Sequence, residues 1–168
     1  MIFSHSISDD SLVQDVLAKK HHIEYSVHAL KHWQRVERNG LFLVDRMGGD
    51  PKIVSLFALF HDSQRLNDFE DPEHGARGAS LAREFYQNGR LPITESELDL
   101  LTLACTQHTD TIFTDDPTIQ CCWDGDRLDL SRVGILPDST MLNTSSAKSI
   151  ADTMDYGELH AFPHPVNI

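Results

Sequence analysis

Ile53-Val54-Ser55-Leu56-Phe57-Ala58-Leu59-Phe60-His61-Asp62 is the stretch from which the rest of the chain can be read. Asp50-Pro51 stands just ahead of it. Aspartate is a good N-cap, and proline suits the first helical position, where its missing N–H is not needed. The residues from Ile53 to Phe60 are apolar almost all the way round, and a helix of that kind is the buried centre of a small domain. It runs straight into an imidazole and a carboxylate. A buried carboxylate without a partner is costly, so His61 and Asp62 require company. An Asp–His hydrogen bond or an ion pair with Arg65 would supply it; coordination of a metal ion by both side chains would supply it differently.

Asp71-Pro72 and Asp116-Pro117 repeat the Asp-Pro helix start, and Thr94-Glu95-Ser96-Glu97 has the spacing of a capping box. Asn39-Gly40, Gly48-Gly49 and Asn88-Gly89 mark breaks or kinks. Between these signals the periodicity predicts helices at roughly 9–20, 23–47, 51–66, 72–88, 95–109 and 117–130, with a shorter one near 144–155. No period-two strand pattern is present. The expectation is an all-α fold, a compact single-domain helical bundle of about six to seven helices spanning 1–168, since no repeat, low-complexity run or linker divides the chain.

The 168 residues carry a net charge of −12, which disfavours nucleic acid and anionic membranes as partners. Lys19-Lys20-His21-His22 is a short basic cluster better read as a solvated helix end. No apolar run is long enough to span a membrane, and the N-terminus lacks a basic region followed by an apolar one. Three cysteines, Cys105, Cys121 and Cys122, do not make a disulfide framework; reduced thiols and a cytoplasmic location are expected. Ten histidines are the unusual feature of the composition.

Several of those histidines fall on apolar faces. Leu98, Leu101, Cys105 and His108 form one stripe that ends on the imidazole. Ile119, Cys122, Asp126 and Leu130 share a face that turns Asp126 inward, and Tyr25, His28, His32 and Val36 are stacked in the same way. Taken singly, each is ordinarily a satisfied core residue. Four helices aiming His or Asp inward, without CxxC pairs, suit a divalent transition metal with mixed nitrogen and oxygen ligation.

This ordered set resembles the HD superfamily of metal-dependent phosphohydrolases. His32-Trp33-Gln34-Arg35-Val36 is similar to the family's His-x-x-Arg-Val, and Ala58-Leu59-Phe60-His61-Asp62 carries its doublet. Asp124-Gly125-Asp126-Arg127-Leu128-Asp129 is similar to its Asp-x-Asp-Lys/Arg-Leu-Asp, with Asp126 at the ligand position. His74-Gly75-Ala76-Arg77-Gly78-Ala79 and Gln107-His108 resemble segments of the members that bind two metals. The resemblance covers about residues 28–134 and leaves 135–168 as an appended helix and tail.

The resemblance implies a site of His32, His61, Asp62 and Asp126 for one divalent ion, with Asp62 bridging to a second ion served by His74 and His108. Manganese, iron, cobalt, nickel, zinc or magnesium would suit. Helical neighbours point about 100° apart, so His61 and Asp62 can converge on one ion only where the helix ends. Two ions clamp a phosphoryl group and activate a water as nucleophile, so a small-molecule phosphate ester, nucleotide-like or otherwise, is the expected substrate. Asp62, Arg65 and His28 are the candidate catalytic residues. Arg65 is either a phosphate anchor or the partner of Asp68 or Glu70; His28 is either a proton carrier or a surface histidine. Asp129 orients a ligand or caps the structure, and Trp33 and Trp123 are core residues. Two alternatives stand beside the hydrolase: a di-iron oxygenase of the same type, which six ligand positions would permit, and a non-catalytic metal-binding or sensor module, which the lack of a second domain disfavours.

Overall fold

The apolar segment forms the helix its sequence predicts and occupies the centre of the molecule. In the computed structural model, which describes residues 10–20 and 26–163, the elements in order are α1 (Asp10–Ala18), α2 (Leu30–Met47), α3 (Pro51–Phe60), α4 (His74–Gln87), α5 (Glu95–Gln107), α6 (Pro117–Arg127), α7 (Ser145–Thr153) and α8 (Gly157–Ala161). Two 3-10 turns, Leu128–Val133 and Ser139–Met141, link α6 to α7. The described residues contain no strand. Every residue of α3 from Ile53 to Phe60 is buried, and α2, α4, α5 and α6 pack around it. Trp33 and Trp123 complete this core, and each large apolar side chain buried there contributes about 1.5–3 kcal/mol. None of the helices is long and apolar enough to cross a membrane.

Two of the three Asp-Pro pairs cap helices as expected. Asp50 accepts from the backbone N–H of Lys52 and Ile53, and Asp116 from Thr118 and Ile119. Thr94 and Glu97 form the capping box that opens α5. Asp71-Pro72 behaves differently. Its carboxylate accepts from the Leu66 backbone at 2.8 Å and takes both oxygens to Arg77 at 2.6 Å. Engaged by that longer-range partner, Asp71 closes the loop after α3, and α4 begins at His74 with no side-chain cap.

Other boundaries also shift for identifiable reasons. The helix expected over 51–66 stops at Phe60, where the backbone tightens: Ser63 N–H and its hydroxyl both donate to Phe60 O. The helix expected from 23 begins at Leu30; Tyr25, His21 and His22 lie outside the described residues. Asn39-Gly40 is no break. A Cβ on Gly125 would lie 2.8 Å from Gly40 N, so the two glycines let α2 and α6 cross at backbone contact, and Asn39 Nδ2 donates across to Gly125 O at 3.0 Å.

The segment after residue 134 shares the central core through Leu142, Ala147, Ile150, Ala151 and Leu159. Its anchor is Asp124, fully buried, whose carboxylate receives the backbone N–H groups of Asn143 and Thr144 and the Asn143 side chain at 2.6–3.0 Å. Helix α8 goes beyond the six to seven helices expected; five residues are too few to display a helical period.

Candidate metal centre

Five helices carry the polar residues inward. The end of α3 presents His61 and Asp62, α2 presents His32, α6 presents Asp126, the start of α4 presents His74, and the end of α5 presents His108. All but Asp126 are buried; its side chain is 21% exposed, which leaves the centre one open side.

The six residues sort into two groups around Asp62. Oδ2 of Asp62 lies 3.5 Å from His32 Nε2 and 3.7 Å from His61 Nε2, and Asp126 Oδ1 lies 3.4 and 3.8 Å from the same two nitrogens. Oδ1 of Asp62 lies 3.1 Å from His74 Nε2 and 3.7 Å from His108 Nε2. Donors about 2.1 Å from one ion sit roughly 3.0–3.4 Å from one another in octahedral or tetrahedral arrangements, so both groups stand slightly wider than a coordination shell and need only a small inward shift to form one.

The tautomers make the case chemically. His61 Nδ1 is 3.1 Å from the carbonyls of Phe57 and Ala58, and His108 Nδ1 is 2.7 Å from Cys105 O. His74 Nδ1 is 2.5 Å from Asp71 O, and His32 Nδ1 is 2.7 Å from Asp129 Oδ2. Carbonyls and carboxylates only accept, so each Nδ1 carries a proton and donates it. In the neutral ring the lone pair then sits on Nε2. Yet the Nε2 atoms face one another in pairs, His32 to His61 at 3.2 Å and His74 to His108 at 2.9 Å. Two lone pairs at that distance repel unless a cation lies with them. The residues present fit divalent metal.

The ionisation of the centre points the same way. Burial pushes the His61 imidazole down to about 3. Burial also opposes charge on His32 and His108, but hydrogen bonds to Asp129 and Asp62 for the first, and to Asp62 for the second, outweigh it and raise both. Asp62 and Asp126 resist burial and stay ionised, held below the carboxylate range by the surrounding imidazoles. A metal ion would compete with protons for the same lone pairs.

His28 and Arg65 stand at the border. His28 lies in the turn before α2, not on the helix, and its Nδ1 donates to Asp62 Oδ2 at 2.6 Å. Arg65 lies beyond α3 and pairs with neither Asp68 nor Glu70. Its Nε is 4.0 Å from Asp62 Oδ1 and has no hydrogen-bond partner among the described residues, while Nη1 lies 3.1 Å from His74 Nδ1. Asp68 instead accepts from Ser26.

Some residues that build the centre gave weak signals in sequence. A Cβ on Gly75 would meet Cys105 O at 2.3 Å, and one on Gly78 would meet Phe60 O at 2.3 Å. These glycines set α4 directly on the ends of α3 and α5, which is what brings His74 to Asp62. Their spacing of three places both on one helical face, a readable but unspecific sign. Arg127 braces the other side, donating to the carbonyls of Thr111, Ile112 and Met141. The three cysteines are free and buried and belong to neither donor group; burial pushes each thiol up.

No family model and no curated protein matches the chain. A solved structure does: the crystal structure of a predicted HD superfamily hydrolase from an uncultured Thermotogales bacterium is similar with a TM-score of 0.64 and 22% identity, over 91% of this chain and 88% of that one. At that identity the likeness is one of fold. The chain has the all-helical HD-type fold that its motifs resemble.

Proposed function

We propose that the chain is a divalent-metal-dependent hydrolase of small phosphate esters, with a metal-activated water as nucleophile. The observation that carries this reading is Asp62, whose two oxygens face two separate imidazole pairs. His32, His61, Asp62 and Asp126 would hold one ion, and Asp62, His74 and His108 a second. Ions bound there supply Lewis acidity toward a phosphoryl oxygen and a water acidic enough to ionise near neutral pH.

The remaining roles fall to the chain's own groups. His28 keeps a proton on Nδ1 against Asp62 Oδ2 and is 17% exposed, so it links the buried carboxylate to solvent and serves proton transfer to the leaving group. Arg65 places a fixed cation beside Asp62 and His74, the charge a phosphoryl group would meet there. The acidic surface disfavours nucleic acid and membranes, leaving a small phosphate-bearing molecule as substrate. Three free cysteines suit a reducing compartment, and we place the protein in the cytoplasm.

The test is phosphate release from a panel of mono- and diesters by chain reconstituted with each candidate metal. Release should require metal and vanish in Asp62→Asn. Arg65→Ala should raise KM on the order of tenfold or more with ion content unchanged, the effect of losing one charge-assisted contact. Silence with every ester and every metal would remove the reading. Because His74 is buried and faces Asp62, the second donor group is complete, and this favours a di-iron oxidation as the second reading. Tightly held iron after iron-replete expression, with dioxygen consumed in turnover, would select it.

A further inference from the structure

Asp129 borders a second cavity. A cleft of about 250 Å³ is lined by Arg35, Arg38, Arg132, Tyr156 and His160, and Asp129 is the one acid among its described lining residues. None of these residues belongs to the donor groups of the metal centre.

The charges in the cleft do not cancel. Asp129 is already engaged: Arg35 Nε donates to Oδ1 at 2.6 Å, His32 to Oδ2, and Arg132 Nη1 lies 3.5 Å from Oδ2. That accounts for Arg35 and Arg132, and leaves Arg38 over. Its Nη2 reaches Asn39 Oδ1 at 3.3 Å, while its Nε is buried without a hydrogen-bond partner among the described residues. The Tyr156 hydroxyl is buried and unpartnered in the same way. Buried donors are ordinarily satisfied, so two on residues that line one cleft leave donor capacity unused beside it. Tyr156 stacks on His160 at 5.6 Å, and burial together with the charge of Arg38 lowers the His160 imidazole. Three guanidinium groups facing one carboxylate are conspicuous in a chain of net charge −12.

We infer that this cleft binds a small tetrahedral oxyanion, phosphate either free or as the terminal group of a metabolite, through the guanidinium of Arg38, with Tyr156 and the charge of Arg35 and Arg132 beside it. Guanidinium forks match phosphate oxygens, and a hydroxyl donor completes the set. The cleft is smaller than the roughly 300 Å³ at which pockets for drug-sized ligands begin, which fits an anion of this size.

Calorimetric titration of the full chain with inorganic phosphate, repeated with a sugar phosphate, tests this. One saturable anion per chain is expected, with a Kd in the millimolar range or tighter. Arg38→Gln should weaken it on the order of tenfold, and Tyr156→Phe severalfold. Phosphate binding alone identifies the free ion as ligand; binding of only the ester identifies the group on a metabolite. Repeating the titration after chelation removes anions held by metal. Binding indifferent to both variants, whether or not it survives chelation, or no saturable binding of either probe, would overturn the inference. If Arg38→Gln loses the native circular dichroism spectrum, Tyr156→Phe, which deletes a single oxygen, decides alone.

Discussion

His32 donates its Nδ1 proton to Asp129 at 2.7 Å, and Arg35 grips the same carboxylate at 2.6 Å. The pair fixes the ring so that Nε2 faces His61, and it makes that nitrogen more basic. Asp129→Asn should therefore lower metal affinity about 10- to 100-fold while the helical spectrum persists. Metal titration of the variant against a competing chelator measures this, and unchanged affinity would show that Asp129 does not tune the centre.

The division of donors around Asp62 predicts a stoichiometry. His74→Gln should retain one ion per chain where the parent retains two, because only the Oδ1 side loses a donor. Elemental analysis after desalting reads the count. Loss of both ions, or of neither, would contradict two separable groups.

Metal loading should release protons. Hydrogen bonds to the surrounding carboxylates shift His32 and His108 toward the protonated form, and an ion taking those nitrogens must displace the proton each one holds. Apparent affinity should fall as pH is lowered, and calorimetry in buffers of different ionisation enthalpy should reveal the released protons. A pH-independent affinity would mean that these nitrogens are not the donors.

Gly78→Ala should be costly despite adding one methyl group. The new Cβ would sit 2.3 Å from Phe60 O and 3.1 Å from His61 O, both backbone atoms, so α4 must move. A destabilisation of about 1–3 kcal/mol in urea titration is expected, together with reduced ion content.

Glu97 offers a pH test remote from the centre. The Lys52 ammonium at 2.5 Å, and then the Thr94 backbone N–H, hold its carboxyl at about 2, below the ordinary 4.5. A depressed folded value contributes stability that is present above the unfolded value and fades as pH falls from about 4.5 toward 2. Glu97→Ala should cost about 1 kcal/mol at neutral pH, with the difference from the parent shrinking across that window in thermal melts.

How much of this could be read in advance depended on distance along the chain. α3 and its His61-Asp62 end were legible because burial and anomaly lie in one continuous stretch. Asp50 and Asp116 cap helices through N–H groups two and three residues away, whereas Asp71 was misleading because its carboxylate is claimed by Arg77, six residues on. The start of α2 was misplaced because the His28–His32 spacing imitates a helical turn, although His28 precedes the helix. The arginine cleft was invisible: its walls come from residues 35–39, 128–132 and 156–160, which no local pattern joins.

Asp124 gives the C-terminal segment a consequence for engineering. This buried carboxylate sits two residues before Asp126 on α6, and its hydrogen-bond donors arrive from Asn143 and Thr144. A fragment cut at residue 134, where the motif likeness ends, would keep all six inward His and Asp residues and strand a charge in the interior beside one of them. The smallest excisable unit must therefore reach past residue 144, and a fusion joint placed earlier would disturb the metal centre from behind.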